Sequence, residues 1–255
     1  MARQLLFYDL VTPISKARHQ EWSFKTTQQF GFASEANSVP LMSVEFIAAA
    51  HEYPIVFSLD GESRALPVAV LGVDSNKSLF VNKDGTWGAT YIPAFIRRYP
   101  FVFSASENGE MLTLCIDEAF EGFDRKGGSG ERLFDGAGER TPYLERMLEF
   151  ANQFQGEHHR TNLLGKLLGE LDILEPTEAK VTLPDGAERT LRGFHCVSRE
   201  RLKSLDADKL KQLVGTDALE LIYLHLYSLR NFEGLVRRSA QTSTSGQFSE
   251  IVATH

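Results

Sequence analysis

The stretch Tyr53-Pro54-Ile55-Val56-Phe57-Ser58 returns, nearly unchanged, as Tyr99-Pro100-Phe101-Val102-Phe103-Ser104. Each copy follows a short apolar segment containing Phe-Ile, Phe46-Ile47 before the first and Phe95-Ile96 before the second. Proline cannot continue a helix and restricts the residue before it, so each Tyr-Pro ends a helix and starts a strand. The β-branched and aromatic run that follows suits a strand, and each copy then enters a polar turn and a second apolar run. The repeat therefore predicts two related helix–hairpin units packed in one β-rich core.

Working outward, strands are expected at residues 5–11, 55–59, 66–73 and 79–81, with a polar, aromatic-dotted arm over 12–40 lying on a surface. Ser43 is placed to cap a helix reaching about Glu52, with Glu45 in the first turn. A second short helix is expected between Trp87 and Arg98. Asn108-Gly109 is the strongest hairpin signal, joining 101–106 to 111–116. The Gly-rich, charged run 121–139 reads as a surface loop. Thr141-Pro142 starts a helix, Gly156 interrupts it, and the leucines at 163, 164, 167, 168 and 171 form a second helical face. A last hairpin is expected across Pro184-Asp185-Gly186. Ser198 and Asp206 then cap helices, and a final helix runs from about Thr216 to Arg238. The fold class is α+β, β-rich in the N-terminal half and helix-rich in the C-terminal half. Residues 1–238 are expected to form one domain, divisible into lobes at about 1–135 and 136–238, with a disordered tail over 239–255.

The chain has 255 residues, 42% hydrophobic and 24% charged, an ordinary globular composition. A net charge of −7 and a pI near 5.6 argue against nucleic-acid or anionic-membrane binding, both of which rest on a basic field. The N-terminal run lacks the apolar length of a signal-peptide core, and the apolar stretch 218–229 is too short to span a bilayer. Cys115 and Cys196 each sit in an apolar strand-like run, so two buried thiols in a cytoplasmic, reducing setting are expected.

Strong catalytic signatures do not occur. Lys126-Gly127-Gly128-Ser129-Gly130 has glycines and a lysine in the wrong order for a phosphate loop, and Gly136-Ala137-Gly138 lacks the third glycine of a dinucleotide fingerprint. The helix start after it still offers free N–H groups to an anion. No His-Glu-x-x-His or Cys-x-x-Cys spacing is present, so no metal or other cofactor is expected. His51, His195 and His225 lie on apolar elements and read as satisfied, partly buried imidazoles. One cluster stands out: Trp87, Tyr91, Arg97, Arg98 and Tyr99. Aromatics beside guanidinium groups can hold a carboxylate, a phosphate or a peptide segment, or can simply pack while the arginines pair with surface acids.

Three blocks carry a family resemblance. They are 46–57, then Gly85-Thr86-Trp87 with 91–101, and then Leu133-Phe134-Asp135 with Phe194-His195-Cys196-Val197 and 223–229. In these the chain up to about Arg238 resembles the SapC family of bacterial proteins. The family is named after a component linked to a surface layer, and its genes lie near those of outer-membrane nutrient receptors. The resemblance implies no catalytic residues. The leading expectation is a non-catalytic binding or accessory protein that recognises a small anionic ligand or a protein segment near the second helix–hairpin unit. The alternatives are an enzyme of unrecognised type using His51, His195 or His225 as acid or base, and a self-associating structural protein using the apolar final helix.

Overall fold

A computed structural model describes residues 6–25, 28–61, 64–105, 112–182 and 186–250. In chain order the strands are β1 (Val11–Pro13), β2 (Ser23–Phe24), β3 (Ser38–Pro40), β4 (Ile55–Leu59), β5 (Ala65–Val70), β6 (Phe101–Ala105), β7 (Leu112–Asp117), β8 (Phe123–Asp124), β9 (Glu131–Arg132), β10 (Leu174–Thr182) and β11 (Glu188–Val197). The α-helices are α1 (Lys16–His19), α2 (Phe46–Ala49), α3 (Ala94–Arg97), α4 (Pro142–Glu170), α5 (Arg199–Lys203), α6 (Ala207–Gly215), α7 (Ala218–Ser228) and α8 (Phe232–Glu250). The class is α+β. Two compact units divide the chain, one made of residues 1–29 and 96–156, the other of 30–95 and 157–255.

Both copies of the hexapeptide start the first strand of an antiparallel hairpin, β4–β5 and β6–β7, each preceded by a one-turn helix. They lie in different compact units and different sheets. β6–β7 belongs to a three-stranded sheet ordered β1-β7-β6, whereas β4–β5 lies inside a five-stranded sheet ordered β10-β11-β4-β5-β3. The local signal was the same, but each hairpin pairs with a different distant strand. Sequence similarity between two hairpins cannot specify that choice, because edge pairing depends on what else the chain brings alongside.

In the first unit the expected surface arm is instead core-forming. Trp22 is buried, and β2 is the centre of a small sheet ordered β8-β2-β9. β8 and β9 fall in the expected surface loop, whose Phe123, Leu133 and Phe134 turn inward to a core shared with Trp22, Phe101 and Leu144. The glycines of that loop permit tight turns between very short strands, so composition alone misread it. Residues 6–10 hold no strand, and pairing begins only at Val11, opposite Asp117.

In the second unit β4 is central, with Ile55, Val56 and Phe57 all buried, while β5 alternates buried and half-buried positions. Residues 79–81 make only one bridge, Val81 to Trp87. α4 is one continuous helix through Gly156, which faces open space and costs the helix only backbone entropy. Gly165 has a positional reason: a Cβ there would stand 2.0 Å from the Ala65 carbonyl oxygen, so the helix can lie this close to β5 only without a side chain. Asp206 caps α6 by accepting the Lys209 amide at 2.9 Å, whereas Ser198 makes no side-chain cap. The final helix is broken by a 3-10 turn at Leu229–Asn231, and α8 runs to Glu250, through most of the segment expected to be disordered. The Asn108-Gly109 turn, Pro184-Asp185 and the last five residues of the tail lie outside the described residues.

Candidate functional site

The aromatic–arginine window divides between the two units. In the second unit, Trp87 and Tyr91 are fixed by a buried polar network. Glu45 begins as a helix-capping residue, accepting the Met42 amide at 2.8 Å. Its other oxygen accepts the Tyr91 hydroxyl and the Ala94 amide, both at 2.7 Å. Three donors compensate a carboxylate that is only 4% exposed. Glu52 repeats the device from the other end of α2, taking the Thr90 and Tyr91 amides at 2.9 and 3.1 Å. Tyr53, fully buried, donates its hydroxyl to the Tyr91 carbonyl and accepts the Trp87 indole N–H at 2.9 Å. Burial pushes the Tyr53 hydroxyl well above its ordinary value, so it stays protonated. Trp87 and Tyr91 thus serve to hold segment 87–94 against α2.

In the first unit, Arg97 is exposed with its guanidinium 5.6 Å from the Phe150 ring centre. Arg98 is buried, stacked 4.7 Å over Phe154 and 5.9 Å from Tyr8. Burial lowers its pKa, and the neighbouring Tyr8 hydroxyl, to which it is hydrogen-bonded, opposes that shift. Tyr8 is itself pushed up to about 12, mainly by burial, and donates to the Phe101 carbonyl at 2.8 Å. Arg98 lines a cleft of about 20 Å³ with Phe101, Val102, Phe103, Phe150, Ala151, Phe154 and Gln155. That is room for a group the size of one water. Tyr99 points elsewhere: its hydroxyl donates to Asp117 at 3.1 Å, and Asp117 also accepts the amides of Asp9, Leu10 and Ala119.

Sequence reading missed a second ionic group in the first unit. His19, on α1, places Nε2 3.0 Å from Glu118, and Arg18 reaches the same carboxylate at 2.6 Å. Burial pushes the Glu118 carboxyl up, but hydrogen bonds from Arg18 and His19, with the Arg18 charge, outweigh it and hold it below the ordinary range. His19 Nδ1 accepts the Ser15 amide at 3.1 Å, so both ring nitrogens are engaged and neither faces a substrate. A separation of 99 residues between the partners leaves no local signature.

The remaining candidates resolve one by one. His225 is fully buried with both nitrogens bonded to backbone, as expected of a satisfied core imidazole. His51 is exposed, edge-on to Tyr227. His195 is half-buried, and its Nδ1 is buried with no hydrogen-bond partner among the described residues. In the segment 136–141, Asp135 accepts the Ala137 and Glu139 amides at 2.9 and 2.8 Å, and at the helix start Thr141 Oγ1 accepts the Leu144 amide at 3.3 Å. Both cysteines are free and buried, and burial pushes Cys196 up to about 11. Among the described residues no group of three His, Cys, Asp or Glu side chains is placed to hold a metal, and no helix is long and apolar enough to cross a membrane.

Buried carboxylates bonded largely to backbone, and the neutral His225 imidazole locked in the core, define an α+β protein whose buried ionisable groups organise its fold. Comparison with known families places it: the SapC family model matches residues 14–235, and the chain belongs to that family. Neither the curated proteins nor the solved structures contain a match to it.

Proposed function

We propose that this SapC-family protein is a binding or accessory module that takes a carboxylate, carried by a protein segment or a small molecule, at the Arg98 cleft. The observation that carries the reading is an arginine only 6% exposed, its guanidinium backed by the Phe154 ring and lining a cleft walled mostly by apolar side chains. Arginine keeps its charge even when burial lowers its pKa, and in a poorly solvated cleft it attracts an anion more strongly than at a free surface. The cleft admits only the tip of a ligand, so one carboxylate oxygen enters and the rest lies across its mouth. A catalytic reading loses His225 of its three candidate histidines, because both nitrogens of that ring are committed to the fold. Two buried, protonated thiols suit a reducing compartment.

The test follows the Arg98 side-chain Nε–H resonance during titration with acetate and then with benzoate. The expected result is a saturable shift, absent in Arg98→Met. Native mass spectrometry of the protein purified from its own cells is expected to show a retained acidic mass in the parent protein alone. An unmoved Arg98 resonance together with no retained mass would sink the proposal.

A further inference from the structure

Phe80 is fully buried, and the Arg238 guanidinium lies over its ring, 4.3 Å from the centre. Trp87 stacks beside the same ring at 5.9 Å and 19°, and Tyr53 packs against it at 4.6 Å. Phe30 stands edge-on to Trp87 at 5.8 Å. The arrangement is a guanidinium on the face of Phe80, a ring itself flanked by Trp87 and Tyr53, and an aromatic face is what proteins use to recognise guanidinium and ammonium groups.

Two features separate the cradle from the cation in it. The Trp87 ring is oriented without Arg238, through its indole N–H to the Tyr53 hydroxyl at 2.9 Å and to the Tyr91 carbonyl at 3.2 Å. The space is kept open by Gly88, where a Cβ would come within 3.3 Å of an Arg238 terminal nitrogen and 3.0 Å of the Asn82 side-chain oxygen. The cradle is thus built from residues 53–88, while its occupant arrives from α8, just past the family-matched residues 14–235. Beyond Arg238 that helix continues as Ser239-Ala240-Gln241-Thr242-Ser243-Thr244-Ser245-Gly246, dominated by weak helix formers. A cation–π contact is a modest interaction, and a second guanidinium of equal geometry can compete for the same ring face.

We propose that the Phe80–Trp87–Tyr53 cradle is a guanidinium-binding site occupied in cis by Arg238, and that an arginine side chain of a partner protein competes with the C-terminal helix for it. The site is independent of the Arg98 cleft and of the reading built on that cleft.

The test uses the full-length ¹⁵N-labelled chain and its two tryptophan indole N–H resonances, Trp87 being assigned with Trp87→Phe and Trp22 serving as internal control. The probe is N-acetyl-argininamide, whose only charge is the guanidinium. In Arg238→Ala the Trp87 resonance is expected to shift saturably, with at least about ten-fold tighter binding than in the parent chain, and with little response to N-acetyl-lysinamide. Arg238→Gln retains part of the side-chain stem and gives the same result if Arg238→Ala does not fold. Adding Gly88→Ala to Arg238→Gln is expected to abolish the shift by filling the space. Equal affinity with and without Arg238, an unresponsive Trp87, or equal shifts of both indoles would overturn the proposal.

Discussion

His225 donates its Nδ1–H to the Ile55 carbonyl at 2.7 Å, while its Nε2 accepts the Val197 amide at 3.1 Å. One imidazole on α7 therefore joins the first residue of β4 to the last residue of β11, strands whose described pairing is the single register of His195 opposite Phe57. Ser228 completes the joint. It accepts the Ile55 amide at 2.9 Å and donates to the His225 carbonyl at 2.6 Å. Both backbone polar groups of Ile55 are thus answered by side chains of α7, and the Phe57 ring packs 4.9 Å from the imidazole. A histidine on an apolar helix is here a fastener for the sheet.

This joint makes stability depend on pH. Burial lowers the His225 pKa from the ordinary 6.5 to about 4, so the folded state holds a neutral ring where the unfolded chain takes up a proton. The contribution is complete above about pH 6.5 and is lost progressively as pH falls towards about 4, a total on the order of 3 kcal/mol. Urea denaturation at successive pH values should show the midpoint falling across this window. His225→Gln should be less stable at pH 7.5 and should lose most of the pH slope between 6.5 and 4. An unchanged slope would assign the acid sensitivity to other groups.

Glu118 is the counterpart in the first unit. Replacing it with Gln removes the charge that His19 and Arg18 face in the interior, while Arg18 stays half in solvent. Removing one partner of a buried pair costs about 3–5 kcal/mol; exposure of the Arg18 side chain (56%) puts the expected loss at the lower end of that range. Thermal denaturation of Glu118→Gln and Arg18→Gln is the check, with Arg18→Gln expected to be clearly the milder.

Glu45 and Tyr91 should separate by count of lost bonds. Glu45→Ala strips the acceptor from the Met42 and Ala94 amides and from the Tyr91 hydroxyl, an expected loss of about 3 kcal/mol or more. Tyr91→Phe removes one of these bonds and should cost about 1 kcal/mol. Chemical denaturation of the two single variants and the double variant gives the coupling, and simple additivity would contradict a shared network.

Both thiols should be inert in the native protein. Burial raises the Cys115 pKa and pushes Cys196 to about 11, so little thiolate exists at pH 8. Iodoacetamide labelling followed by mass spectrometry is expected to leave both unmodified until urea unfolds the chain. Rapid native labelling of Cys196 would mean that its strand opens readily.

Much of the local structure was legible in the chain. Tyr-Pro followed by a β-branched run announced both hairpin starts, Thr141-Pro142 the start of α4, and Asp206 the cap of α6, because each depends on neighbours within one turn. The aromatic–arginine window was visible as a concentration of unusual residue types. Its division between two compact units was not, nor was the role of Glu45, whose first-turn position was plain but whose bonds to Tyr91 and Ala94 cross more than forty residues. His19–Glu118 and Arg238–Phe80 were invisible for the same reason, since neither partner carries a mark of the other.

By itself, then, the sequence determined the α+β class, the two hairpins, the buried thiols and the family, all of which follow from residue type and spacing along a few turns of chain. Tertiary structure alone decided that the twin hairpins enter different sheets, that a Gly-rich run contributes to a core, and that an apolar helix fastens β4 to β11 through His225. Those outcomes rest on contacts between distant segments. Such contacts are selected by which buried polar groups and apolar faces can all be satisfied together, a property of the whole packed chain rather than of any window within it.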